Sequence, residues 1–465
     1  MRDRVRKLND APFRPQARYV LYWAQMNRRT EYNHALAHAI ELANEHSLPV
    51  LFYEGLTCAY PYASDRLHVF ILEGVADTAA ALKKQGVGYV FYPRRKRSDP
   101  DDILYRLARE AAAVVTDDYP TFIARQHNQR VPARLDIPYF VVDSSCIVPM
   151  NHMTRREYAA YTIRPKIHKA LSQHLRPFET PRVSRRYEDP PPPYHIESPD
   201  PPRLAAECEI DHTVKPSITH RGGARAAHRA LTRFITRNLR RYARERNEPS
   251  AHATSGLSPY LHFGCISALE VALAARDHAA QHGLIADEFL EELIVRRELA
   301  FNHARFSEDP TSLESAPAWA LETMRRHAGD PRPYRYNREQ FESAATHDEL
   351  WNAAQKELLL RGTIHGYYRM YWGKKIIEWS TSYQDALDDM IYLHDRYSLD
   401  GRDPNTYTNI LWCFGLHDRP WVERPVFGQL RYMSHDGMKR KTNTQAYLRE
   451  IESLERTGVD PFRVE

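Results

Sequence analysis

Trp351, Trp372 and Trp379 place three of the chain's seven tryptophans within 29 positions. Trp372 and Trp379 stand two helical turns apart, so they share one helix face about 10 Å apart along its axis. Indoles so placed either fill a helical core or pass electrons, and spacing alone leaves both open. A second run, Thr254-Ser-Gly-Leu-Ser-Pro-Tyr-Leu-His-Phe-Gly264, sets hydroxyls and a glycine ahead of a helix start. Ser258 reads as the N-cap and Pro259 as the first helical residue. Such an end is either plainly capped or an anion cradle. In Glu291-Glu-Leu-Ile-Val-Arg-Arg-Glu-Leu-Ala-Phe-Asn302, Glu292, Arg296 and Asn302 recur near helical spacing. Glu292 is either paired with an arginine or reserved for a ligand. Leu399-Asp-Gly-Arg-Asp-Pro-Asn405 gathers two carboxylates, a guanidinium and an amide, more than a turn requires. Arg221, Arg225, Arg229, Arg233 and Arg237 recur every fourth residue, either as a phosphate-tracking stripe or as a solvated face paired with acids.

These side chains need rigid elements to hold them. Apolar runs at 19–23, 50–53, 89–92, 113–115 and 139–142 alternate with helical patterns such as 33–43. That alternation predicts a doubly wound parallel sheet, an α/β fold, over residues 1–178. No glycine fingerprint follows the first run, so a dinucleotide on that turn is unsupported. Trp23, Gln25, Met26 and Asn27 stand at the end of the first strand, where open α/β sheets bind ligands. Proline is dense over 181–202, which favours extended polyproline geometry and cannot pack as a helix, so 179–220 reads as the interdomain linker. From 221 to 465 the pattern is mainly helical, with amphipathic runs at 224–245, 267–278, 287–302, 348–360 and 366–380. An all-α second domain follows.

The 465 residues are too many for one core. With 42% hydrophobic and 27% charged residues the composition is that of a globular protein. A formal charge of +5, from 65 basic against 60 acidic residues, permits nucleic acid without arguing for it. Five scattered cysteines fit neither a disulfide framework nor a zinc site and suit a reducing cytosol. The opening Met-Arg-Asp-Arg-Val-Arg-Lys is unlike a signal peptide, and no stretch of 18 apolar residues suggests a membrane span.

Taken together, these words resemble the class II cyclobutane pyrimidine dimer photolyases of the photolyase/cryptochrome superfamily. The resemblance rests on the 254–264 run, Glu-Leu-Ile-Val-Arg-Arg-Glu-Leu, Gly-Tyr-Tyr-Arg-Met-Tyr-Trp-Gly-Lys-Lys-Ile-Ile-Glu-Trp, Leu-Asp-Gly-Arg-Asp-Pro-Asn and Val-Phe-Gly-Gln-Leu-Arg-Tyr-Met. Near the N-terminus Tyr-Trp-Ala-Gln-Met-Asn-Arg-Arg and Met-Thr-Arg-Arg-Glu-Tyr-Ala-Ala add to it. It covers about residues 15–450. It implies an N-terminal antenna domain, a helical domain binding FAD, and light-driven repair of UV-damaged double-stranded DNA. Reduced FAD would donate an electron to a flipped-out dimer, the cofactor doing the difficult step. Photolyases are among the enzymes that extrude their target nucleotides.

The resemblance assigns Tyr242, Thr254, Ser255, Gly256, Leu257 and Ser258 to FAD, together with the pair Arg369 and Asp400 and the flavin-lining Gly401 and Arg402. It assigns Glu292 to the thymine carbonyls as a protonated or proton-sharing acid, and Met370 and Trp412 to the walls of the dimer pocket. Arg296, Arg419, Arg431, Lys439, Arg440 and Lys441 fall on the DNA side. Trp372, Trp351 and Trp379 match the proximal, middle and distal members of an electron chain that photoreduces the flavin. His394 stands where the family usually has Asn facing flavin N5, and a histidine titrating near neutrality would make the flavin radical state pH-dependent. Residues 412–418 are one residue shorter than the family pattern, which bears on Trp412 and Arg419. Met438 replaces the usual Cys. The antenna is a deazaflavin, a folate or nothing. A monomer without metal is expected, cytoplasmic and nucleoid-associated when DNA-bound. A cryptochrome-like photoreceptor without repair is the alternative, with His394 the feature that favours it.

Overall fold

In the computed structural model, which describes residues 2–463, the five apolar runs become strands of one sheet. Met1, part of the opening sequence judged unlike a signal peptide, lies outside the described residues. The strands are β1 (Val5–Lys7), β2 (Tyr19–Ala24), β3 (Val50–Thr57), β4 (Gly88–Arg94), β5 (Ala111–Asp117) and β6 (Tyr139–Val142), in the order β1-β6-β5-β2-β3-β4. Neighbours pair in parallel, except β1, which pairs antiparallel to β6 through Val5 opposite Val142. β1 is unexpected from its sequence, since Val-Arg-Lys has one apolar residue and reads as a charged tail. Side chains alternate between faces. Val20 and Tyr22 join one core with Leu36 and Ile40, whereas Tyr19, Leu21 and Trp23 join the other with Ile103 and Leu107.

Helices α1 (His34–Glu45), α2 (Asp65–Leu72), α3 (Val75–Gln85), α4 (Ile103–Ala108) and α5 (Phe122–Arg130) accompany the sheet, and α6 (Ala160–His174) follows it. The proline-rich stretch departs from expectation. It runs back along the sheet half, with backbone N–H groups of Tyr187, Ile196 and Glu209 donating to the carbonyls of Gly86, Phe91 and Arg95. It also contains a helix, α7 (Pro201–Ala206). Its two prolines occupy the first turn, where no N–H is needed, and Asp200 caps the N–H of Arg203 at 3.2 Å.

The remaining helices are α8 (Ala224–Arg233), α9 (Leu239–Glu245), α10 (Ser258–His262), α11 (Ala268–His282), α12 (Asp287–Leu290), α13 (Arg297–Phe306), α14 (Ala318–Arg326), α15 (Arg338–Glu342), α16 (Glu349–Arg361), α17 (Gly366–Trp379), α18 (Tyr383–Tyr397), α19 (Pro404–Cys413), α20 (His435–Lys441) and α21 (Thr444–Thr457). Two wide turns of π-helix interrupt them, Phe234–Asn238 between α8 and α9 and Glu291–Arg296 between α12 and α13. One apolar core crosses the halves, joining Phe70 and Leu67 to Ala230, Tyr260 and Phe263. A second surrounds Trp351, Trp372 and Trp379. Buried Arg66 ties them, donating to the carbonyls of Leu358, Leu359 and Tyr397 at the ends of α16 and α18, where a cation suits the helix dipoles.

Candidate functional site

The second half encloses a cavity of about 1100 Å³. Both π-helical turns border it, supplying Arg237 and Asn238 from one and Glu292 from the other, in keeping with the frequent use of such bulges at functional sites. The arginine stripe divides along α8. Arg221 and Arg225 pair with Glu73 and Asp77 beside the sheet half, whereas Arg233 and Arg237 line the cavity.

Residues 254–258 form one wall. Gly256 has φ +66° and open space where a Cβ would stand, so glycine serves the backbone here and leaves the cavity clear. The helix begins one residue earlier than expected, with Leu257 at the cap and Ser258 inside. The Ser258 hydroxyl instead bonds Asp400. Burial alone would raise the Asp400 carboxyl, but the Arg369 guanidinium at 3.1 Å, with the hydroxyls of Ser398 (2.5 Å) and Ser258, holds it well below the usual range. Gly401 and Arg402, expected beside the flavin, do not line the cavity. Gly401 is pressed against α18, where a Cβ would strike the His394 carbonyl. Arg402 is buried and turned the other way, donating to the carbonyls of Asp395 and Ser398.

His394 lines the cavity, its ring 5.0 Å from that of Trp372. Burial, and then the nearby Arg369, push its pKa down to about 3. It stays neutral at physiological pH, which overturns the expected titration near neutrality. Its Nδ1 has no hydrogen-bond partner among the described residues, and the same holds for Arg369 Nε, His365 Nδ1 and Nε2, and Trp412 Nε1, all on cavity-lining residues.

Glu292 stands with Met370 and Trp412 in the lining. Its partner is Arg246, 2.7 Å away and 46 residues earlier, which sequence spacing gave no signal for. Tyr242 also lines the cavity and lies beneath the Arg246 guanidinium, 5.7 Å from ring centre to charge. Arg296 lies over the Trp412 ring at 5.7 Å and pairs with Glu291. Asn302 faces away, bonded to the backbone of Arg155 and Glu157.

The three tryptophans are contiguous. Trp372 lines the cavity, Trp351 stacks on it with ring centres 6.2 Å apart and planes within 4°, and Trp379 meets Trp351 edge-on at 6.0 Å. Trp372 Nε1 donates to Gln355 Oε1 at 2.9 Å, and Trp351 Nε1 to the Trp372 carbonyl at 3.0 Å. Gln355 lies one turn beyond Trp351 on α16, a spacing legible in sequence but not singled out. Of the expected DNA-side cations, Arg431 borders the cavity, and Arg419 and Arg431 both lie over the ring of Trp421, at 5.2 and 5.3 Å. Lys439, Arg440 and Lys441 are exposed on α20 and do not line the cavity.

At the carboxyl end of the sheet the loop after β2 is held by one carboxylate. Asp117 accepts the backbone N–H groups of Gln25, Met26 and Asn27 at 2.8–3.0 Å, together with Asn27 Nδ2 and the Tyr22 hydroxyl. Gln25 bonds His127, Asn128 and Thr116. The five cysteines are free and buried. Among the described residues no cluster of three or more metal-ligating side chains occurs, and no helix is long and apolar enough to cross a membrane.

Comparison with known proteins places this architecture. The sequence model of the DNA photolyase family matches residues 20–182. The chain is 39% identical to a deoxyribodipyrimidine photo-lyase of Methanothermobacter thermautotrophicus, over 97% of this chain and 98% of that protein. It is 35% identical to that of Potorous tridactylus, over 97% and 84%. Among solved structures, a bacterial class III photolyase from Agrobacterium tumefaciens superposes with a TM-score of 0.69 at 17% identity, covering 96% of this chain and 92% of that one. A Synechocystis cryptochrome does so with 0.71 at 16%, covering 95% and 94%. An α/β sheet half joined to a helical half around one large cavity is thus the photolyase/cryptochrome fold, and the chain belongs to the DNA photolyase family.

Proposed function

We propose that the chain is a class II photolyase that uses blue light and reduced FAD to split cyclobutane pyrimidine dimers flipped out of duplex DNA. The observation that carries this reading is convergence on one cavity. The Glu292–Arg246 pair, the apolar Met370 and Trp412 and the inner end of the indole stack all border the space that residues 254–258, Arg369 and Asp400 wall. The lining fits a flavin dinucleotide. Hydroxyls and arginines suit a diphosphate, and unpartnered buried atoms on His394 and Arg369 suit a polar heteroaromatic ring. When bound, FAD supplies light absorption and the electron.

The chain's own residues do the rest. Arg246 and Glu292 pair at 2.7 Å in the lining, so the guanidinium offers a donor to a pyrimidine carbonyl beside the Glu292 carboxyl. A preformed charged pair meets charge developing on the dimer without reorganising. Met370 and Trp412 exclude water beside it. Arg296, Arg419, Arg431 and the α20 cations take phosphates. Trp379, Trp351 and Trp372 carry electrons inward. Residues 1–178 form the antenna half and 221–465 the catalytic half.

The deciding experiment is blue-light treatment of a dimer-containing oligonucleotide with reduced holoprotein. Glu292→Ala is expected to lower the yield of restored pyrimidines at least tenfold with FAD content unchanged. If the unaltered protein restores none, the cryptochrome-like reading favoured by His394 replaces repair.

A further inference from the structure

Helix α17 gives Arg369, Met370, Trp372 and Trp379 a part in the proposed reaction and leaves its two lysines without one. Lys375 pairs with Glu378. Lys374 differs. It is 1% exposed and forms no ion pair among the described residues. Its Nζ donates to the Cys413 carbonyl at 2.6 Å. Burial pushes its pKa down to about 8, which still leaves it charged at neutral pH. Burying an ammonium without a carboxylate is costly, and a methionine of similar length would fill the space without that cost. Stability therefore does not account for a lysine here, and what the lysine holds becomes the question.

It holds the end of α19. Cys413 is the last residue of that helix, where carbonyls lack partners within the helix and a cation suits the dipole. The residue before it is Trp412, one wall of the cavity. The opposite wall, Met370, stands one turn before Lys374 on α17, on the same helix face. The two helices meet closely at this level, since a Cβ at Gly373 would stand 2.8 Å from Cys413 Sγ. Arg296 lies over the Trp412 ring, but Trp412 Nε1 has no hydrogen-bond partner among the described residues. No hydrogen bond of its own therefore anchors the indole, and the backbone at 412–413 sets where it stands.

We infer that Lys374 is a positioning residue for lesion recognition, tying the end of α19 to α17 so that the Trp412 and Met370 walls keep a fixed separation. The inference rests on the reading that these side chains enclose the dimer. Two pyrimidines fused by a cyclobutane ring form one rigid body that meets both walls at once, whereas phosphate contacts are the same for damaged and undamaged DNA. Without the tie the end of α19 shifts. The pocket then loses the lesion while the surrounding surface keeps the duplex.

The test is a fluorescence titration of the holoprotein, in the dark, with a dimer-containing duplex oligonucleotide and its undamaged counterpart. Lys374→Met should weaken binding of the damaged duplex at least fivefold and leave the undamaged one within twofold, with FAD content unchanged. In a Trp412→Ala background the same change should cost less than twofold, because the wall that Lys374 positions is gone. A purely structural lysine gives equal losses on both duplexes, or the same loss with and without Trp412. Either result would overturn the inference, as would a Lys374→Met chain that no longer retains FAD. If the unaltered protein shows no preference for the damaged duplex, the repair reading itself fails. If it shows one and Lys374→Met keeps it, the repair reading stands and the role of Lys374 alone is lost.

Discussion

Two buried aspartates, one in each half, stand at positions where this kind of chain invites a ligand, and they end differently. Asp117 gathers the loop after the second strand by taking three backbone N–H groups, an amide and a phenol from the chain itself. Asp400 is also fully engaged, by Arg369, Ser398 and Ser258, yet its neighbours His394 and Arg369 keep unpartnered nitrogens beside an open cavity. Buried polar groups satisfied within the fold leave nothing for a ligand to do. Buried polar groups left over mark where one belongs.

The contrast breaks most directly at Asp117. Asp117→Ala leaves several buried donors without an acceptor and should cost about 3–5 kcal/mol of unfolding free energy in urea titrations. It should do so equally with and without flavin; a loss under about 1 kcal/mol would mean that water or another ligand can replace the carboxylate.

On the cavity side, the buried neutral His394 sets a pH dependence. Its folded pKa of about 3 lies below the unfolded value near 6.5. As pH falls below about 6.5 the unfolded chain takes up a proton that the folded one refuses, so stability declines until the folded group also titrates. Flavin-free His394→Asn should recover about 2 kcal/mol relative to the unaltered protein at about pH 5 and nothing from this group at about pH 8. Parallel unfolding curves at both pH values would show that His394 does not carry the effect.

Asp400→Asn keeps the shape and removes the charge facing Arg369. Flavin retention measured by equilibrium dialysis should weaken at least tenfold, about 1.4 kcal/mol. Unchanged retention would place Asp400 with Asp117 as a purely internal partner. The smallest effect belongs to the surface. Arg431→Ala should weaken DNA binding by about 1 kcal/mol across sequences and reduce the slope of affinity against salt by about one. An unaltered slope in fluorescence titrations would remove Arg431 from the phosphate contacts.

Much of this was written locally. The apolar runs became strands because both faces of a parallel sheet are buried, and the amphipathic runs became helices with their edges nearly in place. The motif words at 254–258, 292, 369–372 and 400 also reached one cavity, since each word fixes its own turn or helix face. Other parts depended on distant partners. Val5–Lys7 is a strand only because β6 offers an edge. Pro201 and Pro202 begin a helix because a first turn needs no donors and Asp200 caps it.

The sequence by itself determined the elements, the family words and the indoles' shared helix face, because these follow from periodicity and local steric preference. Only the tertiary structure decided that Arg246 meets Glu292, that Arg402 turns away from the cavity, that His394 stays neutral and that Asp117 gathers the loop after the second strand. Each of these depends on burial and on partners far along the chain, and desolvation is a property of the packed molecule that no local stretch of residues contains.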